Sequence, residues 1–391
     1  MAVLDSIDNA YLLLEDDVIK DFGKMEGLSD SIVSRGAASI DASERYVLPA
    51  FCDSHTHIVY AGSREREFVD KIRGMSYEEI AKHGGGILNS SGLLNKTPEE
   101  ELYEQALQRV QEIISFGTGA VEIKSGYGLN TAAELKMLRV IKKLKETTPV
   151  IIKSTFLGAH SLPADYKGRQ DEYVDLVINE MIPMVAAEGL ADFIDVFCDK
   201  GFFSVEHTEQ ILMAGIKHGL RPKIHANELG FTGGIQTGVK YDALSVDHLE
   251  CTEDAEIEAL VSSETMPALL PGTAFYLGLK YPPARKMIDA GLPVALASDY
   301  NPGSCPSGNM QFITSLACIK LKMLPEEALN AVTINGACAM NVEQETGSIA
   351  HGKKANVLIT KKIPSLAFIP YTFGSSSIEK VVLNGKIIYS G

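Results

Sequence analysis

The sequence places two histidines two residues apart, directly after an apolar run. Residues 46 to 52 form the run, and His55 and His57 follow it. The run predicts a buried strand, and alternate residues of an extended chain face the same side. Both imidazoles should therefore project together from the strand end, an arrangement that suits a transition metal. Two surface histidines in a loop would give the same pattern.

Later strand-like runs end in residues that could complete a metal site. His225 follows the run 222–224, and Asp299 follows the run 293–297. Three neutral imidazoles and one carboxylate would leave a divalent ion with a net positive charge and room for a water. Such an ion lowers the pKa of the water and polarises a carbonyl. Taken singly, His225 or Asp299 could be a structural residue, but their recurrence at strand ends favours metal-dependent hydrolysis.

Proton transfer would need further groups beside the ion. Glu228 lies three residues after His225 and could move a proton between the water and a leaving nitrogen. His248, after the run 243–246, could orient the water or stabilise developing charge. Asp299 is a third possible acceptor. The spacing leaves open which of the three groups accepts the first proton.

A site with two metal ions is an alternative arrangement. It would normally use a carboxylated lysine that bridges the ions deep in the fold. Lys124 and Lys153 both lie near the ends of predicted strands. Lysines in salt bridges would give the same sequence pattern, and we favour that interpretation, although spacing alone leaves both arrangements open.

A third set of polar residues could bind a substrate. The guanidinium of Arg64 could hold a carboxylate through two hydrogen bonds, although its charged neighbours at 65–67 also fit a solvated run of charges. Tyr127 and His160 follow predicted strands and could donate or accept hydrogen bonds at a planar polar ring. Further donors come soon after the acidic residue of the last strand: Asn301, Gly303 and Ser304.

These residues share one position, because nearly all of them follow a predicted strand. Between residues 48 and 352, eight strand-like runs alternate with stretches that fit helices. This alternation predicts an α/β fold, a parallel (β/α)8 TIM barrel, in which the chemistry gathers at the carboxyl ends of the strands. The polar residues at these ends are His55, His57, Tyr127, His160, His225, Glu228, His248 and Asp299.

The two ends of the chain predict a second, smaller unit. Short strand-like pieces precede and follow the barrel, among them one at residues 31–34. Asn384-Gly385 between two apolar runs is a strong hairpin signal. We expect the two ends to pair as one small β-sandwich domain. The predicted segments are 1–47 and 353–391 for this domain and 48–352 for the barrel.

Composition limits the classes of partner. The chain has 391 residues and a formal net charge of −15 at pH 7, which argues against a general nucleic-acid surface or an acidic membrane surface. Its six cysteines are scattered without a Cys-x-x-Cys pair, as expected of thiols in a reducing compartment. No basic leader and no run of about 20 apolar residues occurs. We expect a cytoplasmic protein that acts on a small molecule.

At these residues the chain resembles the metal-dependent amidohydrolases. The superfamily pattern lies in Asp53-Ser-His55-Thr-His57, His225, His248 and Asp299. Within the superfamily, the chain is similar to the imidazolonepropionases, which open a ring in histidine degradation. The resemblance covers roughly residues 10 to 390. The narrower similarity rests on residues 61–68, 122–129, 155–160, 225–228, 246–249 and 298–304.

The resemblance implies a reaction and a cofactor. The reaction is the hydrolysis of the cyclic amide of 4-imidazolone-5-propanoate to N-formimidoyl-L-glutamate by a metal-activated water. It also implies a homodimer with one zinc or iron ion per subunit. His248 matches the histidine thought to assist the water. The implied metal ligands are His55, His57, His225 and Asp299.

The resemblance implies roles in binding as well. Asn301 and Gly303 match positions that hold the opened product, together with Tyr127. The family usually has a longer N-terminus, with another strand before the position of Asn9; this difference concerns the completeness of the β-domain and no site residue. The implied substrate contacts are Arg64, Tyr127, His160, Glu228 and Ser304.

Two other functions are alternatives. A deaminase of a cyclic amidine or aminopyrimidine would use the same metal ligands and a His-x-x-Glu loop. Arg64 and Tyr127 argue against a deaminase, and ammonia release would support one. A non-catalytic assembly protein on an inactive barrel would commonly lack metal ligands, whereas all four predicted ligands are present here.

Overall fold

The computed structural model of this chain describes residues 1–29, 38–75 and 85–391. The strand predicted at residues 31–34 lies outside this part. Within the described residues, fourteen strands form three sheets. The strands are β1 (Ala10–Glu15), β2 (Val18–Lys24), β3 (Val47–Pro49), β4 (Phe51–Thr56), β5 (Thr118–Lys124), β6 (Ile151–Ala159), β7 (Phe193–Cys198), β8 (Arg221–Ala226), β9 (Ser245–His248), β10 (Met266–Leu269), β11 (Ala295–Leu296), β12 (Val357–Thr360), β13 (Ile378–Leu383) and β14 (Lys386–Ser390).

The central sheet is parallel and contains β4 to β11 in sequence order. Its strands are buried on both faces, which explains why they form nearly continuous apolar runs. The chain after the short β11 closes the sheet onto β4. The backbone N–H of Asp299 donates to the carbonyl of His55 at 3.0 Å, and that of His57 donates to the carbonyl of Tyr300 at 2.9 Å. The predicted (β/α)8 barrel is confirmed.

Helices follow most of the barrel strands. No helix among the described residues is both long enough and apolar enough to cross a membrane. The α-helices are α1 (Glu65–Ile72), α2 (Ile87–Lys96), α3 (Glu99–Ser115), α4 (Thr131–Thr147), α5 (Gln170–Leu176), α6 (Ile182–Ala187), α7 (Val205–Lys217), α8 (Gly234–Lys240), α9 (Asp254–Val261), α10 (Pro271–Leu277), α11 (Ala284–Asp289), α12 (Met310–Ile319), α13 (Pro325–Ala331), α14 (Ile334–Cys338) and α15 (Phe368–Tyr371).

Helix α4 shows how the sequence specifies the outer layer. The side chain of Asn130 accepts a hydrogen bond from the backbone N–H of Ala133 at 3.0 Å and so caps the helix start. Leu138, Ile141 and Leu144 recur three residues apart and are fully buried where the helix packs on β6 and α3. Burying each of these side chains contributes about 1.5–3 kcal/mol of stabilisation.

One of the predicted strands is divided into two strands in the structure. The apolar run 46–52 predicted a single strand, but β3 pairs with β12 in a small antiparallel sheet, while β4 belongs to the barrel. Pro49 ends β3, and because proline has no N–H it is tolerated at a sheet edge, where β3 lies. β3 therefore spans the predicted boundary between residues 47 and 48, and the domain limits stay predictions.

The small sheets come from both ends of the chain, as predicted. β3, β12, β13 and β14 form one, and the β1–β2 hairpin forms the other. Asn384 and Gly385 join β13 to β14 with positive φ at both residues, which confirms the predicted hairpin. A Cβ at Gly385 would overlap the carbonyl of Asp16, in the turn of the N-terminal hairpin. The two hairpin turns are therefore in direct contact.

Gly336 in α14 should tolerate no side chain, because a Cβ there would overlap the carbonyl oxygen of Cys52 in β4. We expect Gly336→Ala to lower the free energy of unfolding by about 1–3 kcal/mol, since the helix and the strand must move apart. Denaturant unfolding followed by circular dichroism measures the change. Gly92→Ala in α2 is the matched control, because nothing lies within 4 Å of its Cβ position. Equal losses in both variants would contradict this explanation.

Candidate active site

Three imidazoles meet at the carboxyl ends of barrel strands. His55 lies in β4, His57 directly after it, and His225 in β8. One ring nitrogen of each lies within 4.8 Å of those of the other two, and all three residues are buried. Nε2 of His55 and Nε2 of His225 have no hydrogen-bond partner in the part of the chain that the structure describes. The cluster therefore presents nitrogen lone pairs to a common point.

Asp299 brings a carboxylate to this cluster. Its Oδ1 lies 3.5 Å from Nε2 of His55 and 3.7 Å from Nε2 of His57. Its Oδ2 accepts hydrogen bonds from the hydroxyls of Thr273 at 2.6 Å and Ser304 at 3.0 Å. The backbone of Asp299 is left-handed, with φ of 56°, a conformation that non-glycine residues rarely adopt and that clusters at functional sites. One carboxylate oxygen is thus fixed and the other faces the imidazoles.

This donor set fits a divalent transition-metal ion. Imidazoles must be neutral to bind a metal. Burial keeps the pKa of His55 and of His57 well below the usual range, so both rings are neutral at physiological pH. Three nitrogens and one carboxylate oxygen are the ligands that such ions take in proteins. The cluster therefore points to a metal-dependent enzyme.

Two buried aspartates orient the imidazoles from behind. Oδ2 of Asp247 lies 2.7 Å from Nδ1 of His55, and Oδ2 of Asp195 lies 2.9 Å from Nδ1 of His225. A carboxylate on the second nitrogen is typical of metal-binding histidines, because it fixes the ring and raises its basicity. Neither aspartate is among the site residues that the sequence predicts. The available signal was an acidic residue inside a strand that is otherwise apolar.

Lys124 lies beneath this layer and binds three carboxylates. Its Nζ is 2.6 Å from Oε1 of Glu122, 2.8 Å from Oδ2 of Asp195 and 3.4 Å from Oδ2 of Asp247. Burial alone would lower the pKa of Lys124, but Asp195 and Glu122 outweigh it and raise the pKa. Lys124 is therefore an ammonium, whereas a carboxylated lysine forms from a neutral amine. This geometry favours the salt-bridge interpretation and a single metal ion.

Glu228 and His248 form a second pair beside the imidazoles. Oε2 of Glu228 lies 3.6 Å from Nδ1 of His248, whose ring centre is 5.3 Å from that of His225. Oδ2 of Asp199 accepts the backbone N–H groups of Glu228 and Leu229 at 2.7 and 3.0 Å. Burial raises the pKa of the Glu228 carboxyl, against the opposing effect of His248. A buried carboxyl with a raised pKa suits proton transfer.

Tyr127 and His160 line the other side of His57. The rings of His57 and His160 are stacked, with centres 5.0 Å apart and 10° between their planes, and Tyr127 meets both rings edge-on. Nδ1 of His160 lies 3.0 Å from the carbonyl of Gly126. Burial lowers the pKa of His160 to about 3, so the ring is neutral. Because a carbonyl only accepts, Nδ1 carries the hydrogen and Nε2 is left as an acceptor.

Arg64 lies against the loop that follows Asp299. A Cβ at Gly303 would overlap Nη1 of Arg64, so a side chain at this position would displace the guanidinium. Oε2 of Glu67 accepts hydrogen bonds from Nε and Nη2 of Arg64 at 2.8 and 2.5 Å. Oδ1 of Asn301 accepts the backbone N–H groups of Gly303 and Ser304 at 2.8 Å each. The loop is therefore rigid where it meets the arginine.

The charged run beside Arg64 is only partly solvated. Glu65 and Arg66 are exposed, but Glu67 is buried and its Oε1 also accepts the backbone N–H of Gly86 at 3.0 Å. Glu67 is not among the site residues that the sequence predicts, because its partners Arg64 and Gly86 lie outside the charged run. With this addition, the structure gathers every predicted site residue at one end of the barrel.

The sequence matches its relatives over nearly its whole length. A protein named imidazolonepropionase from Christiangramia forsetii is 57% identical over 388 residues, which are 99% of this chain and 94% of the relative. A protein of the same name from Flavobacterium johnsoniae is 59% identical over 388 residues, with the same two coverages. The amidohydrolase family model matches residues 199–388.

The fold also matches solved structures. The structure of 5-methylcytosine deaminase from Klebsiella pneumoniae liganded with phosphonocytosine has a TM-score of 0.76 to this chain, covering 97% of this chain and 94% of the deaminase. Sequence identity between the two is 18%. At that identity the likeness concerns the fold, and it agrees with the observed barrel.

Asp195→Asn should weaken metal binding about 10- to 100-fold, because Nδ1 of His225 loses the carboxylate that orients the ring. The measurement is metal bound per subunit after dialysis against a series of buffered free-metal concentrations. Asp254→Asn is the matched control, since the Asp254 side chain is 92% exposed and forms a surface ion pair with Lys286. Unchanged affinity in a folded Asp195→Asn variant would contradict the orienting role.

Proposed function

We propose that this chain, which belongs to the imidazolonepropionase family of the amidohydrolases, hydrolyses 4-imidazolone-5-propanoate to N-formimidoyl-L-glutamate. One observation carries the proposal: a histidine cluster and a half-buried arginine lie at the same end of one barrel. The cluster suits hydrolysis of a carbonyl–nitrogen bond, and the guanidinium of Arg64 suits the propanoate. The named relatives support the same reaction.

We propose that His55, His57, His225 and Asp299 hold one zinc or iron ion in each subunit. When bound, such an ion acts as a Lewis acid that lowers the pKa of water and polarises a carbonyl. The neutral imidazoles of His55 and His57, the position of His225 beside them and the inward-facing oxygen of Asp299 support this ligand set. The ammonium of Lys124 supports one ion rather than two.

Substrate binding in this proposal uses three side chains of different chemistry. Arg64 holds the propanoate through charge-assisted hydrogen bonds, with Glu67 fixing the plane of the guanidinium. His160 accepts an N–H of the ring through Nε2. Tyr127 donates its hydroxyl hydrogen, since burial raises the pKa of its phenol and keeps it protonated. These contacts orient the ring and exclude bulk water.

Proton transfer in this proposal belongs to Glu228. The Glu228 carboxylate takes a proton from the attacking water, and the new C–O bond forms at the ring carbonyl. Glu228 then returns the proton to the ring nitrogen as the C–N bond breaks, so that no proton is gained or lost overall. His248 stabilises the charge that develops on the carbonyl oxygen. Asp299 is less suited as acceptor, because Thr273 and Ser304 already donate to it.

The loop after Asp299 is proposed to hold the ligand after ring opening. Asn301 and Gly303, together with Tyr127, would bind the product, and Ser304 would contact the substrate. The approach of Gly303 to Arg64 supports this placement, because the opened chain stays attached to the carboxylate that Arg64 holds.

We further propose that the protein is a cytoplasmic homodimer. The family resemblance supports the dimer, and the six cysteines, all free in the structure, support a reducing compartment. Light scattering coupled to gel filtration should give the mass of two chains. The mass of one chain would contradict the dimer.

The purified protein should convert freshly generated 4-imidazolone-5-propanoate to N-formimidoyl-L-glutamate, followed by loss of substrate absorbance and by mass spectrometry of the product. A chelator should abolish turnover, because polarisation of the carbonyl is lost, and either zinc or iron should restore it. Absence of turnover by folded, metal-loaded protein would refute the assigned substrate. Ammonia release from a cyclic amidine or aminopyrimidine would instead support a deaminase.

Arg64→Met should raise KM for the propanoate substrate about 10- to 100-fold, because a charge-assisted hydrogen bond is lost. The effect on kcat should be smaller, since Arg64 lies away from the bond that breaks. Steady-state kinetics measures both quantities. Arg66→Met is the matched control, because Arg66 is exposed. Equal changes in the two variants would argue that general surface charge, not Arg64, attracts the substrate.

A further inference from the structure

Glu250 is a buried acid that the proposed mechanism does not use. It lies two residues after the end of β9, and only 1% of it is exposed. Its Oε2 is 3.9 Å from Nδ1 of His248. Neither carboxyl oxygen has a hydrogen-bond partner in another residue of the described chain. A buried polar group of this kind requires an explanation.

The backbone turns Glu250 back toward His248. His248 and Leu249 are both left-handed, with φ of 84° and 69°. Two consecutive non-glycine residues in this conformation are uncommon, and such strain persists only where the surrounding structure imposes it. The turn places the Glu250 carboxyl beside the imidazole that precedes it by two residues.

The charged groups that face Glu250 determine its state. Glu228, Asp199 and Asp299 are acidic neighbours, and His248 is the base beside it. A carboxylate buried among three other acids, with no donor from another described residue, would be strongly disfavoured. Burial, followed by Glu228, raises the pKa of the Glu250 carboxyl well above its usual range. Both arguments favour the neutral acid.

A neutral carboxylic acid carries one O–H donor. The acceptors on its side of the site are Nδ1 of His248 and the carboxylate of Glu228, which lie 3.6 Å from each other. A hydrogen bond from Glu250 to this pair would restrict both side chains. The 3.9 Å between Oε2 of Glu250 and Nδ1 of His248 exceeds a hydrogen-bond distance by about 1 Å, so the bond requires the Glu250 side chain to move closer by that amount.

We propose that Glu250 is a positioning residue, a neutral carboxylic acid that donates a hydrogen bond to the Glu228–His248 pair and holds it oriented for proton transfer. The proposal rests on the proposed hydrolysis. In this proposal Glu250 does not contact the substrate and keeps its proton throughout the reaction.

The kinetic test compares two replacements of nearly the same size. Glu250→Gln keeps a neutral donor and should retain most of kcat. Glu250→Leu removes the donor and should lower kcat about 10- to 100-fold while leaving KM and bound metal nearly unchanged, a split that general loss of structure would not produce. Glu258→Gln, at an exposed position of α9, is the matched control. A Gln variant as impaired as the Leu variant would overturn the proposal, as would a fully active Leu variant.

A spectroscopic test is independent of turnover and remains decisive if the Leu variant does not fold. Infrared spectra of wild type and Glu250→Gln at neutral pH should differ by the carbonyl band of a protonated carboxyl. Loss of a carboxylate band instead would overturn the proposal. If wild-type protein fails to hydrolyse the imidazolone, the proposed function fails, and the infrared difference alone then decides the state of Glu250.

Discussion

The carboxyl end of the barrel depends on a buried network of ion pairs. The Nζ of Lys124 contacts Glu122, Asp195 and Asp247, and the equally buried Nζ of Lys223 contacts the second oxygen of Glu122, so the carboxylates are paired where water cannot reach them. Removing one partner from such a group leaves an uncompensated buried charge, which typically destabilises a protein by about 3–5 kcal/mol. Two of these three carboxylates also hold imidazoles of the histidine cluster. The same ion pairs therefore stabilise the barrel and orient the residues that would bind the metal.

The barrel strands form a rigid scaffold, and residues at or just after their ends adopt unusual backbone conformations. Asn227, His248 and Asp299 all have positive φ, and each lies at or just after the end of a barrel strand. These conformations are unfavourable in isolation, and the closed sheet beneath them holds them in place. The site combines a stable scaffold with local strain, as expected where side chains must point at a common centre rather than pack.

Features that recur along the sequence could be predicted from it, whereas contacts between residues far apart in the chain could not. Polar residues at the ends of regularly spaced strands indicated both the barrel and the cluster of His55, His57 and His225. In contrast, His55 and Asp247 are 192 residues apart, so no local pattern joins them. Glu67 was interpreted as part of a solvated run of charges, because burial is not visible in such a run. The division between β3 and β4 could not be predicted, because one apolar run contributes strands to two sheets.

The pairing of β3 with β12 has a consequence for the order in which the molecule assembles. β3 is made early, yet its partner begins at Val357, so a ribosome must add some three hundred residues before this ladder can form. Closure of the barrel, in which the segment after β11 bonds to β4, likewise requires most of the chain to be synthesised first. Such distant pairings slow folding and leave strand edges open meanwhile. During synthesis, the growing chain exposes the first strand of its small sheet, and chaperones that shield unpaired strands would act on it there.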